Sequence, residues 1–193
     1  MDLIGPKGFS DFLNQVKLTA RLDETKISLS DLRLFAPTLP EFEDEIFLSG
    51  IMIGSVSDLK SEEFLLRLGQ KTAIFGAFEL DGLPDIEKTY INLSLKNSVI
   101  SARDLAPYLS PKIEKEINKF NLIRVDADFT GLLSRFVTNG DFKTSIGNIS
   151  GRVNYDLVKG IPTVVSKIKV QNLDIGILAE NRELLQKVSL DGN

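Results

Sequence analysis

The sequence predicts a mainly β protein in which repeated antiparallel strands curl into one trough-like sheet with one short amphipathic helix. A closed β-sandwich is the alternative. Two observations predict the class: apolar and polar residues alternate with a period of two along most of the chain, and a single segment carries a clear helical period instead. A third observation, matching strings about 75 residues apart, indicates a repeated supersecondary unit.

The alternation is clearest in NQVKLTARL (14–22), RVDADFT (124–130), GNISGRVNYDL (147–157) and VSKIKVQNL (165–173). Such a pattern gives each strand one apolar face and one wet face, as is usual in antiparallel sheets. Further strands are predicted near 26–34, 46–57, 62–69, 72–81, 88–96 and 137–146. The final VSLDGN is typical of another strand running into a turn.

One short amphipathic helix is predicted at 110–120, SPKIEKEINKF. Ser110 is a suitable N-cap, and the proline after it fits the first helical position. Ile113, Ile117 and Phe120 follow at i, i+4 and i+7, so they share one side of the helix. If these three side chains pack into the trough, the helix acts as a gate that caps it.

Matching strings indicate the repeat. Gly76 matches Gly151, Asn97 matches Asn172, and GLP at 82–84 matches GIP at 160–162. Strings that close a unit also match: RLFAPTL at 33–39, RDLAPYL at 103–109 and ILAENREL at 177–184. The predicted units are 1–40 (partial), 46–109 and 122–180, with the helix 110–120 between the last two. We expect residues 1–193 to be a single β-rich segment of a longer protein.

Composition excludes several classes of function. The chain has 193 residues, of which 26% are charged, and its formal net charge is −4, so it offers no basic footprint for nucleic acid. It contains no Cys and no His, which removes thiol nucleophiles and the commonest general base and metal ligand. No nucleotide-binding or calcium-binding motif appears. We therefore expect no enzymatic activity, no cofactor and no metal.

A sheet that is apolar on one side must bury that side against something. Two sheets can close into a sandwich, or one sheet can curl into a trough. A strand of eight to ten residues spans about 26–33 Å, comparable with one or two extended acyl chains. The residues predicted to line such a trough and contact lipid are Ile74, Phe78, Leu80, Ile91, Leu93, Leu95, Val125, Phe129, Ile149, Val153, Tyr155, Ile168 and Val170.

The sequence also resembles a known family. The pre-helix DLAPYLSP (104–111), the strand GNISGRVNYDL and the strand KVQNLDIG (169–176) that ends in a short turn are similar to the TamB / AsmA-like family of bacterial envelope proteins, especially the Bacteroidetes type. The likeness covers most of residues 50–193.

The resemblance implies a long, curled β "taco" with a hydrophobic interior, tethered to the inner membrane and crossing the periplasm. It implies transport of phospholipid between the inner and outer membranes, or assembly of outer-membrane proteins. Phospholipid acyl chains would be the partners here, and a TamA/Omp85-type barrel would bind through other parts of the full-length protein.

Two other classes stay open at the level of sequence. One is a structural or adhesive β-repeat module with a closed core and functional loops such as 40–45. The other is a carbohydrate-active enzyme, which needs two carboxylates converging in a cleft. The carboxylates that can be placed, such as Asp126 and Asp128, point outward or lie in loops, which disfavours the enzyme.

Overall fold

The structure is a computed structural model that describes residues 13–28, 30, 45–179 and 187–192. Its strands are β1 (Leu18–Ser28), β2 (Glu45–Gly54), β3 (Asp58–Leu68), β4 (Thr72–Asp81), β5 (Tyr90–Ser101), β6 (Leu122–Leu132), β7 (Arg135–Thr144), β8 (Gly147–Val158), β9 (Ile161–Asp174) and β10 (Lys187–Gly192). They form one antiparallel sheet in strict sequence order, and β10 does not close onto β1. The predicted curled, trough-like sheet is confirmed, and the closed sandwich is wrong for the described part of the chain.

Helical segments follow β5 and β9. They are α1 (Ala102–Leu105), a 3₁₀ turn (Ala106–Tyr108), α2 (Pro111–Asn118) and α3 (Ile175–Leu178), and residues 13–15 are also helical. The predicted helix 110–120 therefore exists with slightly shorter bounds. Ser110 occupies the N-cap position with an extended backbone, but its side chain makes no capping hydrogen bond. Asn121, in the left-handed region at φ 59°, follows the helix.

A bend line crosses the strands near their middle. One row of directly paired residues runs along it: Leu22, Gly50, Phe64, Gly76, Leu95, Ala127, Gly140, Gly151 and Ile168. Beside this row, β1, β3 and β5 each carry a register shift of one residue, and β9 carries one farther along, between Val170 and Leu173. Bulges and glycines bend strands, so the trough runs across the strands rather than along them.

Glycine at this bend is a steric requirement. A Cβ on Gly76 would lie 2.0 Å from the Ser94 carbonyl oxygen, and one on Gly151 would lie 2.2 Å from the Lys167 oxygen. Gly151 also has φ +157°, which L side chains rarely adopt. The neighbouring strand backbone therefore approaches where a side chain would stand.

The bulges on β1, β5 and β9 share one arrangement. Their residues Glu24, Asn97 and Asn172 all have positive φ, at 44°, 50° and 53°. Each backbone N–H donates to a side chain on the next strand, to Ser49 Oγ at 3.0 Å, Asp126 Oδ1 at 2.8 Å and Ser189 Oγ at 3.0 Å respectively. Two of the three, Asn97 and Asn172, are a pair that the sequence repeat matches. The repeat boundaries stay a prediction, which this recurrence supports.

The β1 bulge also explains a difference from the sequence-based prediction. Two strands were expected at 14–22 and 26–34, whereas β1 runs continuously to Ser28 and shifts register between Leu22 and Thr25. Asp23 and Glu24 interrupt the alternation because they form the bulge. The predicted residues beyond Ser30 lie outside the described part of the chain.

Asp104 ties α1 to the β3–β4 turn. Its carboxylate accepts from the backbone N–H groups of Gln70 at 3.2 Å, Lys71 at 2.8 Å and Thr72 at 2.7 Å. Desolvation opposes ionisation, but these donors together hold the pKa of Asp104 below its usual value. The Asp in RDLAPYL is thus the cap of a neighbouring turn, a role that the sequence pattern did not reveal.

Candidate functional site

The strand register places one set of side chains on a single face of the sheet, called the apolar face below. Directly opposed residues of antiparallel strands point to the same side, so the pairing can be followed from strand to strand. The row of paired residues along the bend line, from Leu22 to Ile168, is one line of this face and is called the bend row below. A second line is Leu18, Gly54, Leu59, Leu80, Ile91, Gly131, Phe136, Tyr155 and Val164.

All thirteen residues predicted to line the trough lie on the apolar face. Ile91, for example, pairs with Leu80, and Leu93 pairs with both Phe78 and Phe129. Val153 and Tyr155 pair with Thr138 and Phe136 on the same side. Their contact with lipid stays a prediction, but the register brings them together.

No charged side chain occupies a paired position on the apolar face in the ten described strands. The opposite face is rich in charge, and Arg135 and Asp156 pair on it with an Nε–Oδ2 distance of 3.1 Å. Lys167 and Lys169 both lie on that side. The opposite face also carries exposed apolar side chains, such as Phe47, Ile51 and Val165, so the two faces differ in that charge is confined to one of them.

Several serine and threonine side chains lie on the apolar face, but their hydroxyl groups donate hydrogen bonds to backbone carbonyls. Ser61 Oγ donates to the Glu63 carbonyl at 2.9 Å, and Ser98 Oγ donates to the Phe75 carbonyl at 3.0 Å. Thr138 and Thr144 donate to the carbonyls of Asp128 and Gly147. These polar atoms are satisfied locally, so they give the face little capacity to recognise a polar ligand.

Side chains of the apolar face pack against their neighbours within the sheet, and no second layer built from the described residues covers them. Of the thirteen predicted lining residues, Val125 is fully buried at 3% exposure. Ile168 is 37% exposed, and the remaining eleven are half-buried. In the interior of a closed sandwich these residues would be buried, whereas here a ligand can reach them.

Aromatic rings concentrate on β6, β7 and β8. Phe129 stacks on Phe136 with ring centroids 4.7 Å apart, and Phe136 stacks on Tyr155 at 5.0 Å. A separate edge-to-face pair, Phe64 and Phe78, lies on β3 and β4 with centroids 5.4 Å apart. The sequence prediction omitted Phe64, Phe136 and Phe142, because alternation around them is broken by bulges or by threonine and glycine.

The proposed gate helix lies at the end of the sheet where β5 passes into β6. The Lys119 ammonium donates to the Leu178 carbonyl at 2.8 Å, and Ser145 Oγ donates to the Phe120 carbonyl at 3.4 Å. Ile117 and Phe120 are half-buried, whereas Ile113 is 53% exposed. Ile113 is therefore not inserted into the trough, and a gating role for the other two stays a prediction.

Some sequence predictions fall outside the described residues. They include the string at 33–39, the loop 40–45 except Glu45, and the part of the string 177–184 beyond Ala179. Within the described ranges, no group of three or more acidic residues is arranged to hold a metal ion.

The described helices are all too short or too polar to cross a membrane. Comparison with known proteins adds no relative: no family model, no curated protein and no solved structure matches this chain. The strongest functional feature of the molecule is therefore its own apolar face.

Proposed function

We propose that this chain is a non-enzymatic segment of a periplasmic, TamB/AsmA-like envelope protein, and that its trough holds phospholipid acyl chains in transit between the inner and outer membranes. The observation that carries the proposal is the absence of charge at every paired position of the apolar face across ten strands. Hydrocarbon offers no hydrogen bonds, so such a surface suits it better than any polar ligand.

The dimensions of the sheet support the same occupant. Ten strands about 4.8 Å apart span roughly 43 Å across the sheet, and each leaflet of a bilayer has a hydrocarbon layer of roughly 15 Å. The trough is therefore long enough for two or three acyl chains end to end. The acyl chains would therefore run across the strands, whereas the sequence-based prediction compared the length of an acyl chain with the length of a single strand.

Local satisfaction of the hydroxyl groups favours acyl chains over a nascent outer-membrane protein as cargo. An unfolded polypeptide brings backbone N–H and C=O groups that need partners. Ser61, Ser98 and Thr138 already direct their hydroxyl hydrogens to backbone carbonyls. A hydrocarbon chain makes no such demand. A TamA/Omp85-type barrel partner would bind through other parts of the full-length protein.

The test is site-specific photo-crosslinking in cells with the full-length protein. A photoreactive residue at Phe78 or Val153, on the apolar face, should capture phospholipid detectable by mass spectrometry. The same residue at Lys167 or Lys169, on the charged face, is the matched control and should capture little. Equal lipid labelling from both faces would contradict the proposal, and capture of polypeptide alone at Phe78 would favour outer-membrane-protein cargo.

A further inference from the structure

The floor of the trough is lined by small residues where it crosses β6, β7 and β8. In the bend row the residues there are Ala127, Gly140 and Gly151, directly paired in that order. Larger residues, Leu95 and Ile168, flank them on β5 and β9. Three adjacent strands therefore contribute almost no side-chain volume at the bottom of the trough.

Phe142 fills part of this region. A Cβ placed on Gly140 would lie 2.6 Å from Phe142 Cε2 and 2.9 Å from Cζ, so the ring occupies the space that a side chain at 140 would take. The ring is 36% exposed, which leaves one surface open to the trough. Phe142 itself pairs with Val125 and Ile149, so it belongs to the apolar face.

The strands around Phe142 also cross the bend differently from the other strands. β3 and β5 cross the bend with bulges, but β7 pairs with β6 and β8 without any register shift. Across the bend from Phe142, the rings of Phe129, Phe136 and Tyr155 form a stacked wall on the same three strands. The trough at this point has aromatic groups on both sides of a glycine floor.

We propose that Phe142 limits the depth of the trough over β6–β8 and thereby selects straight acyl chains over methyl-branched ones. The inference rests on the proposed function and extends it to substrate class. A straight chain passes over the ring edge, whereas side methyl groups need the space that the ring occupies. A hydrophobic site discriminates differences of one methylene by about tenfold or more.

The test measures which lipid the purified full-length protein takes up from vesicles holding equal amounts of dipalmitoyl- and diphytanoyl-phosphatidylcholine, with bound lipid quantified by mass spectrometry. The unaltered chain should enrich the dipalmitoyl lipid. Phe142→Ala should lower that enrichment about tenfold. Phe47→Ala is the matched control, because Phe47 is 43% exposed on the opposite face of β2 and should leave the ratio unchanged.

Two further variants keep the inference testable if Phe142→Ala fails to fold. Phe142→Leu removes the ring but retains apolar cover over Gly140, and it should shift the ratio in the same direction. Gly140→Ala should push the ring toward the trough and raise the preference for the straight chain. If these variants bind lipid with an unchanged ratio of dipalmitoyl to diphytanoyl lipid, the inference about Phe142 is wrong, but the proposed function is not contradicted. Absence of any bound lipid in the unaltered chain overturns the proposed function and this inference with it.

Discussion

The backbone N–H of Asn97 donates to the Asp126 carboxylate at 2.8 Å, at the bulge of β5 where this strand pairs with β6. A similar bond is made at the β1 bulge, from the Glu24 N–H to Ser49 Oγ, and at the β9 bulge, from the Asn172 N–H to Ser189 Oγ. A bulge leaves a backbone donor without a ladder partner, and at each of the three bulges a side chain of the next strand supplies the acceptor. The recurrence supports the predicted repeat, and the bond stabilises each bulge.

Replacing Asp126 with Ala should lower the free energy of unfolding by about 1 kcal/mol, because the Asn97 N–H loses its acceptor. Asp126→Asn should retain most of the stability, since an amide oxygen also accepts. Asp128→Ala, on the same face of β6, is the control and should change stability by less than about 0.5 kcal/mol. Urea unfolding measures all three, and equal losses at 126 and 128 would contradict the assignment.

Gly76→Ala should destabilise the sheet by about 3 kcal/mol or more, because the added Cβ would lie 2.0 Å from a backbone oxygen that cannot move without bending β5. Gly192→Ala serves as the control, since nothing lies within 4 Å of a Cβ placed there. Thermal unfolding of both variants distinguishes steric loss from a general effect of replacing glycine. A small shift at Gly76 would show that the bend tolerates a side chain.

Asp104 should make stability depend on pH in the acid range. Its pKa is depressed in the folded state, so its contribution is complete above its unfolded value near about 4 and disappears as the pH falls through the lower folded value. Asp104→Asn should therefore destabilise the chain at pH 7 and lessen the loss of stability on acidification below about pH 4. Denaturant midpoints at several pH values measure this, with Asp128→Asn as the control. Parallel pH profiles for Asp104→Asn and the unaltered chain would contradict the capping role.

A charge placed on the apolar face should abolish lipid uptake. Leu93→Glu introduces a carboxylate between Phe78 and Phe129, and burying it against an acyl chain is unfavourable, so bound phospholipid should fall at least about tenfold. Asn92→Glu alters the adjacent residue on the opposite face and should leave uptake unchanged. Circular dichroism of both variants checks that the sheet persists. Equal uptake by the two variants would argue against the apolar face as the binding surface.

The two isoleucines of α2 should differ in their effect on stability. Ile117 is half-buried, so Ile117→Asp should lower the free energy of unfolding by about 1–2 kcal/mol. Ile113 is 53% exposed, and Ile113→Asp should have an effect near zero. If Ile117→Asp alters lipid uptake without altering stability, the helix acts as a gate; if it alters stability alone, the helix is structural.

Within each strand, the amino-acid pattern alone determined most of the side chains that share a face, although it missed Phe64, Phe136 and Phe142. Alternation is local, because successive residues of a strand point to opposite sides whatever the partner strand is. That reasoning placed Phe78, Leu93, Val153 and the other predicted lining residues on one surface before any pairing was known. The start of α2 was also predictable, since capping and proline preferences act within a single turn.

Only the tertiary structure decided whether that surface is open or closed and which residues shape it. A closed sandwich and an open trough require the same alternation, so periodicity could not separate them. The roles of Asp104, Asp126 and Phe142 depend on contacts with a different turn, a bulge on another strand and a glycine floor built by neighbouring strands. Such contacts depend on register, which arises only when distant segments pair.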